Sequence, residues 1–540
     1  MKKSSIILII VITVYSLLCL TENQYGRMTA DSMLYFSLAE KYLAGDFQDA
    51  INGYWGPLLA WLIIPFLYFG AGDIFTINFL NLIFGVLTII GVWNLSYRFE
   101  ITGKIRGILL ICLLPIVLKF SLVQPMDFLL VCVLIFYLCI VFNSHYQEKI
   151  SSGLFSGILG SLAYLTKAYA FPFFIAHFFI MNILHYFRNA AKKDRKQVLK
   201  NAIAGFVLFF LISGTWIMLI SDKYGHLTFS TMRDTNFNAP GPEAMGGGLE
   251  FGVPVFTEGF FEPPNETAFV VWEDPSYLRG ETWNSWQSLR HFKHFIRLTL
   301  KNVSDGMKIF ESFSSLSVAV LIAYILLFCV RSKEELLSRG ALLYPLVTII
   351  LFSGGYVLFH FEERYVWLSN ILLLLMGGYV LNVLFQKEFF ESNLGKNILI
   401  VFFTLSFIFT PSKYVLQAGR GGMNSDMYYL GADLKHYNIK GNIASNREHF
   451  THDAWHKTFR LAYWLDSRYY GQSAEGICDD ELEDELEKHD IDYYFLWGEK
   501  VSTPQFLTKY PEVTGNKIPG LRIYFLKTTN TALNTERTQQ

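Results

Sequence analysis

The chain has 540 residues, of which 52% are hydrophobic and 17% are charged, with 45 basic and 46 acidic side chains. Soluble domains carry about 25% charged residues, and apolar stretches of membrane-spanning length recur along residues 6–410, so a wholly soluble enzyme is excluded. The near-neutral charge balance excludes a basic nucleic-acid binder and an acidic disordered chain.

The first apolar run follows Lys2 and Lys3 and lacks the small residues that a signal-peptidase site requires, so it is predicted to be an uncleaved helix. Apolar composition and length predict eleven membrane-spanning segments. They are Ile6–Leu20, Ile74–Tyr97, Ile105–Phe120, Met126–Phe142, Gly153–Ala170, Phe171–Phe187, Asn201–Ile220, Leu316–Val330, Ala341–Phe359, Tyr365–Phe385 and Asn397–Thr410. A further run, Pro57–Phe69, is short and either spans the membrane or lies in its interface.

The distribution of basic residues decides between these two topologies. If Pro57–Phe69 does not span, strict alternation places the basic loops, including residues 188–200, on the cytoplasmic side. If it did span, nearly all of that charge would be translocated. We therefore predict a polytopic protein of the cytoplasmic (inner) membrane with eleven helices and a cytoplasmic amino terminus. Loops 21–56 and 221–313 and the carboxyl-terminal region are then outside.

The composition changes after residue 410, which predicts a transmembrane catalytic domain over residues 1–410 and a second domain over residues 411–540. The acidic run 479–485 is typical of a helix, and 492–497 and 521–526 are typical of strands. This alternation predicts a small extracytoplasmic α/β domain.

The first external loop contains the most informative carboxylate. Asp31 begins a predicted amphipathic helix whose carboxyl cap is predicted to be Gly45. One interpretation is that Asp31 is an amino-terminal cap or first-turn acid. The other is that it is a general base held at the lipid boundary.

Four segments together resemble the external motifs of GT-C glycosyltransferases. They are the stretch 31–47 continuing to 57–61, the turn 124–127 ending in Asp127, the stretch 160–167 ending in Lys167, and Glu363-Arg364-Tyr365. The resemblance covers about residues 1–410 and is strongest to family 39 protein O-mannosyltransferases and lipid A aminoarabinose transferases. It implies the GT-C fold and sugar transfer from a polyprenyl-phosphate carrier at the external face. Ser32 replaces the second acid of the usual pair, and Ala168 replaces the usual glycine after Lys167.

The resemblance assigns roles to these residues. Asp31 is expected to deprotonate the acceptor hydroxyl, and Asp127 either assists it, orients the acceptor or caps the following helix. Lys167 and Arg364 are expected to bind the donor phosphate, the alternative being that they extend to the lipid headgroups. The expected substrate-binding residues are Tyr35, Glu363 and Tyr365.

A second basic feature lies in loop 221–313. Arg290, His294, Arg297 and Lys301 share one helical face. Arg290 and Arg297 either contribute to binding of the donor phosphate or belong to a surface helix resting on anionic headgroups.

The sequence as a whole favours an inverting glycosyltransferase that moves a sugar from a polyprenyl-phosphate carrier to a hydroxyl of a lipid, glycan or protein. Its expected partners are this donor, the acceptor and membrane lipids, with no nucleic acid. No cofactor or metal ion is firmly implied. The alternative is a transporter or flippase for lipid-linked sugars, which should carry charged residues in the middle of its helices.

Overall fold

The computed structural model describes residues 3–21, 25–189, 191–238, 241–242, 259–278, 283–330, 342–386, 392–447 and 453–527. Within these ranges, each of the eleven predicted spans contains a helix. The helices up to residue 238 are α1 (Lys3–Thr21), α2 (Ala30–Ala44), α3 (Phe47–Ala50), α4 (Pro57–Tyr68), α5 (Asp73–Leu95), α6 (Gly103–Val123), α7 (Pro125–Val141), α8 (Ile150–Thr166), α9 (Ala170–Arg188), α10 (Lys192–Tyr224) and α11 (Met232–Asn238). Those that follow are α12 (Leu289–Phe313), α13 (Ser317–Cys329), α14 (Leu343–Val357), α15 (Trp367–Gln386), α16 (Asn393–Ala418), α17 (Met423–Leu434), α18 (Asp453–Trp464) and α19 (Asp479–Lys488).

The apolar helices indicate a multi-pass membrane protein. Among the described residues, six helices are long and apolar enough to cross a membrane, and the pair α12 and α13, bent by 104°, would make a seventh. The other predicted spans coincide with the shorter apolar helices α1, α7, α8 and α14. The count of eleven spans and the orientation of the termini remain predictions.

Helix α4 shows how the uncertain segment Pro57–Phe69 folds. It has 12 residues, which is about 18 Å of helix, against a hydrocarbon core of roughly 30 Å. Its buried residues include Leu59, Ala60 and Ile63, and Tyr42 of α2 packs on its Trp61, with ring centroids 6.4 Å apart. The length of α4 therefore favours a helix that lies against α2 over one that spans.

The carboxyl-terminal region contains a four-stranded sheet with the order β2-β1-β3-β4. Its strands are β1 (Asn442–Ser445), β2 (Arg468–Gln472), β3 (Tyr493–Trp497) and β4 (Leu521–Phe525). Strand β1 is parallel to β2 and β3, whereas β4 is antiparallel to β3. The predicted helix at 479–485 and the two predicted strands are confirmed, while β1 and β2 were not predicted. The domain boundary at residue 410 and the extracytoplasmic location of this region remain predictions.

The segment 259–278 links this sheet to helix α2. Lys41 of α2 forms a buried ion pair with Glu273, with Nζ and Oε2 2.6 Å apart. The Tyr469 amide of β2 donates to the Phe269 carbonyl at 2.6 Å, and Val270 forms a parallel β-bridge with Tyr469. Through these contacts the segment holds the sheet against α2, the helix that carries Asp31. Breaking the buried ion pair would be strongly destabilising, because it would leave one charge buried without a partner.

Candidate active site

Asp31 lies in the first turn of α2 without capping it. Thr29 is the N-cap, because its hydroxyl accepts from the Ser32 amide. Gly45 ends the helix at a φ of 81°, a left-handed conformation that favours glycine, so it is the predicted carboxyl cap. The Asp31 carboxylate is instead oriented by two side chains from distant parts of the chain. Its Oδ2 accepts from Arg364 Nη1 at 2.9 Å and from the Gln124 amide.

Asp127 and Lys167 form an ion pair beside Asp31. Asp127 lies in the first turn of α7, and its Oδ1 is 2.6 Å from Lys167 Nζ. The two side chains are only 2% and 3% exposed, so Lys167 points into the protein and not toward the headgroups. In the part of the chain that the structure describes, Asp127 Oδ2 has no hydrogen-bond partner, although Arg364 Nη1 lies 3.7 Å away. This buried oxygen is therefore able to accept a hydrogen bond from a substrate at the centre of the site.

The turn that carries Lys167 is shaped by close packing. Helix α8 ends at Thr166, and Lys167 has an extended conformation with φ −148° and ψ 125°. Gly56 packs on this helix end so closely that a Cβ atom there would lie 2.4 Å from the Thr166 carbonyl oxygen. Ala168 is not among the non-glycine residues with positive φ in the described part of the chain. The backbone at residue 168 therefore does not require glycine, and Ala168 fits where the GT-C motif usually has glycine.

Arg364 joins the carboxylates into one cluster. Besides contacting Asp31 and lying near Asp127, it donates through Nε to Glu362 Oε2 at 2.7 Å. His360 Nε2 lies 3.0 Å from the other oxygen of Glu362. Burial raises the pKa of Glu362, but the charge of Arg364 and the hydrogen bond with His360 outweigh it and hold the pKa well below its usual range. Glu362 therefore stays ionised and anchors the guanidinium.

The three expected substrate-binding residues are placed differently. Tyr365 lies next to the cluster, with Lys167 Nζ 3.9 Å from its ring centroid. Tyr35 is buried, its hydroxyl contacts the sulfur of Met126, and its ring packs edge-on against Trp55. Glu363 pairs with Lys119, so Glu362 is the glutamate that contacts Arg364. Substrate binding by these three residues remains a prediction.

Arg290 and Arg297 lie on α12, and both are exposed. Arg290 donates to the Pro242 carbonyl at 3.3 Å. No hydrogen bond or ion pair found within the described ranges joins either arginine to Asp31, Asp127 or Lys167. A role of Arg290 and Arg297 in binding the donor phosphate remains a prediction.

An apolar cavity of about 610 Å³ begins at Lys167. Its polar end contains Lys167, His360 and Tyr365, and its walls are mainly the apolar side chains of α9 and α14. Ile350 lines this cavity and is 68% exposed on the outer surface of α14. The cavity therefore extends from the charged cluster toward the apolar flank of the helical bundle.

The carboxyl-terminal region also approaches Asp31. Arg460 of α18 donates to the Asn424 side chain at 2.8 Å, and Asn424 donates to the Gly26 carbonyl at 2.9 Å, near the start of α2. Burial lowers the pKa of Arg460 to about 10, and the charge of Asp31 acts in the opposite direction. Arg460 is therefore within electrostatic range of the Asp31 carboxylate.

Sequence analysis did not identify Gln124 or Arg460 as site residues. A signal existed for Gln124, because it belongs to the turn that ends in Asp127. Arg460 carried no such signal, since it is remote in sequence from every motif residue.

Part of the chain matches a known protein family. Residues 55–216 match the family described as dolichyl-phosphate-mannose-protein mannosyltransferases, a range that includes Asp127 and Lys167. Comparison with curated proteins finds no match.

Several solved structures are similar in fold. ArnT from Cupriavidus metallidurans bound to undecaprenyl phosphate aligns with a TM-score of 0.54 and 11% identity over 97% of this chain and 98% of that one. The oligosaccharyltransferase of Archaeoglobus fulgidus aligns with a TM-score of 0.53 and 14% identity, over 91% of this chain and 68% of that one. Arabinofuranosyltransferase AftD from Mycobacteria gives a TM-score of 0.50 and 11% identity over 97% of this chain and 40% of that one. The fold is that of the GT-C glycosyltransferases, so the resemblance inferred from sequence motifs is confirmed.

Proposed function

We propose that this protein is an inverting glycosyltransferase that moves a sugar from a polyprenyl-phosphate carrier to an acceptor hydroxyl at the external membrane face. The observation that carries the proposal is the continuous arrangement of Asp31, Arg364, Asp127 and Lys167 at the polar end of an apolar cavity. A base, phosphate-binding cations and room for a lipid chain are thereby adjacent. The family match and the shared fold support sugar transfer from a lipid-linked donor.

The donor is proposed to bind with its phosphate near Lys167 and Arg364. Lysine and arginine bind phosphate oxygens through charge-assisted hydrogen bonds. The prenyl chain then occupies the cavity between α9 and α14, whose lining is mostly apolar. Phosphate binding would compete with Asp127 for Lys167, because the two now form a close ion pair.

The proposed reaction is a single displacement at the anomeric carbon. The acceptor oxygen bonds to that carbon while the bond to the phosphate oxygen breaks, and the hydroxyl proton passes to the Asp31 carboxylate. The departing polyprenyl phosphate is a stable anion that needs no proton, and the cations stabilise its developing charge. Attack from the side opposite the phosphate inverts the anomeric configuration.

The acceptor is proposed to enter between Asp31 and the carboxyl-terminal region. Arg460 approaches Asp31 from α18, and the segment 259–278 holds the sheet next to α2. The acceptor hydroxyl belongs to a lipid, a glycan or a protein. This arrangement supports a role for the carboxyl-terminal region in acceptor recognition.

The alternative of a transporter is less well supported. A transport route requires charged or polar groups in the middle of the bilayer. In the apolar helices, the carboxylate, lysine and arginine side chains fall near helix ends, as Asp127 does in α7 and Lys119 does in α6. His177, in the middle of α9, is buried and hydrogen-bonded within the protein to Tyr137 and Thr348. This distribution favours chemistry at one membrane face over translocation.

The direct test is to offer the purified protein a panel of polyprenyl-phosphate sugars together with extracted cell-envelope lipids and glycans. We expect one donor to release free polyprenyl phosphate and to label an acceptor, as detected by mass spectrometry. The anomeric configuration of the product, measured by NMR, should be opposite to that of the donor. Movement of a lipid-linked sugar across vesicles without release of polyprenyl phosphate would instead support the transporter.

A second experiment tests whether the apolar cavity holds the prenyl chain. Gly354 lines the cavity, and a Cβ atom there would meet no atom within 4 Å. The variant Gly354→Leu therefore fills the cavity without a clash at Cβ. We expect the KM for a long-chain polyprenyl donor to rise about tenfold or more, since several apolar contacts of the chain are displaced. The KM for a donor with a short prenyl chain should change little.

The matched control is Gly214→Leu in α10. Gly214 is also helical, a Cβ atom there also meets nothing within 4 Å, and it does not line this cavity. This variant should leave both KM values unchanged. Equal effects of Gly354→Leu on long and short donors, or equal effects of the two variants, would contradict the proposed path of the lipid chain.

A further inference from the structure

A second cavity, of about 560 Å³, lies at the opposite end of the helical bundle. It is formed where α5 and α7 end and α8 begins. Its polar lining residues are Trp93, Asn94, Arg98, Asn143, Ser151 and Ser152. Helices α7 and α8 have 17 residues each, or about 26 Å of length, and they carry Asp127 and Lys167 at their other ends. This cavity is therefore separate from the proposed donor site.

Two buried hydrogen-bond donors at this cavity have no partner among the described residues. Arg98 Nε and Trp93 Nε1 are buried and make no hydrogen bond in the part of the chain that the structure describes. Leaving a buried donor unpaired is costly, and more so for a charged group. Both side chains line the cavity, so a ligand with acceptor oxygens would satisfy them.

The start of α8 favours a negatively charged ligand in this cavity. Ser151 and Ser152 lie in the first turn of α8 and line the same cavity. The amino-terminal end of a helix presents amide N–H groups and a partial positive charge, which favour phosphate. The planar guanidinium of Arg98 is also suited to binding two phosphate oxygens.

The rim of the cavity is apolar and exposed. Phe155 of α8 lines the cavity and is 56% exposed, and Tyr97, in the 3-10 turn that follows α5, is 43% exposed. These side chains flank the polar interior at the ends of apolar helices. We propose that this cavity binds the phosphate headgroup of an anionic phospholipid at the membrane face opposite Asp31. The acyl chains of that lipid lie against the exposed apolar side chains of α8.

The test uses the full-length protein in detergent and native mass spectrometry. The protein is titrated with dioleoylphosphatidylglycerol, with dioleoylphosphatidylcholine and with inorganic phosphate. We expect phosphatidylglycerol to bind most tightly, and Arg98→Gln to weaken it about tenfold or more, because charge-assisted hydrogen bonds to phosphate are lost. The control Lys104→Gln removes the same charge from an exposed residue that does not line the cavity, and should have little effect.

A second variant separates binding from folding. Ser152→Asp places an acid in the first turn of α8, where it favours the helix but repels a phosphate. We expect unchanged or increased thermal stability together with weaker binding of phosphatidylglycerol. Equal loss in Lys104→Gln and Arg98→Gln, equal binding of the two lipids, or displacement of phosphatidylglycerol by inorganic phosphate at matched concentration would overturn the proposal.

Discussion

Replacing Asp31 by asparagine is expected to lower the rate of sugar transfer by about 10²–10⁴ fold. Asparagine keeps the size of the side chain and an oxygen that can accept hydrogen bonds from Arg364 and Gln124. It cannot act as a base, so it does not remove the proton from the hydroxyl of the sugar acceptor. Because the proposed phosphate-binding cations are unchanged, donor affinity should be nearly preserved. The measurement is the single-turnover rate together with the equilibrium Kd for the donor.

The matched control for this experiment is Glu40→Gln. Glu40 lies on the same helix as Asp31, is exposed and makes no contact with the cluster among the described residues. It should transfer sugar at the normal rate. Near-normal turnover in Asp31→Asn would remove Asp31 from the role of base, and an equal loss in both variants would indicate a general effect of charge on α2.

Removing the guanidinium of Arg364 is expected to damage both donor binding and turnover. In Arg364→Gln, Asp31 and Glu362 lose a hydrogen-bonded cation, and Asp127 loses a nearby one. We expect kcat/KM for the donor to fall on the order of 100-fold, the equivalent of two lost charge-assisted hydrogen bonds. Arg364→Lys should be intermediate, because a single ammonium cannot reproduce the planar fork.

These effects are measured as kcat, KM and melting temperature for the full-length protein. Arg420→Gln serves as the control, since Arg420 is exposed at the end of α16. If Arg364→Gln retains normal donor affinity, the phosphate must bind elsewhere, and Arg290 and Arg297 would be the next residues to test.

The helical architecture could largely be predicted from the sequence. Long apolar runs must bury their backbone polar groups in helices when they lie in lipid, so each of the predicted spans contains a helix. The short length of α4 and the distribution of basic residues both indicate that Pro57–Phe69 does not span the membrane. Strands β1 and β2 were not predicted, because β1 reads Asn-Ile-Ala-Ser and Gly471 interrupts β2, whereas β3 and β4 are rich in the aromatic and branched residues typical of strands.

The site was predicted in part. Asp31, Asp127, Lys167 and Arg364 were expected on one membrane face, and the structure brings them into one cluster. Which of two adjacent glutamates contacts Arg364 depends on a short 3-10 turn over Glu363–Val366, where consecutive side chains point in different directions. The sequence alone does not define that geometry. The approach of Arg460 depends on how two parts of the chain pack, which no local pattern encodes.

The segment 259–278 has a consequence for how proteins of this architecture can be recombined. It is bonded on one side to α2 through Glu273 and on the other to β2 through Phe269. A chimaera that exchanged the carboxyl-terminal sheet alone would leave this segment facing a foreign strand, and the mismatch would be transmitted to the helix bearing Asp31. The segment and the sheet therefore form a single module for grafting, although a long stretch of chain separates them.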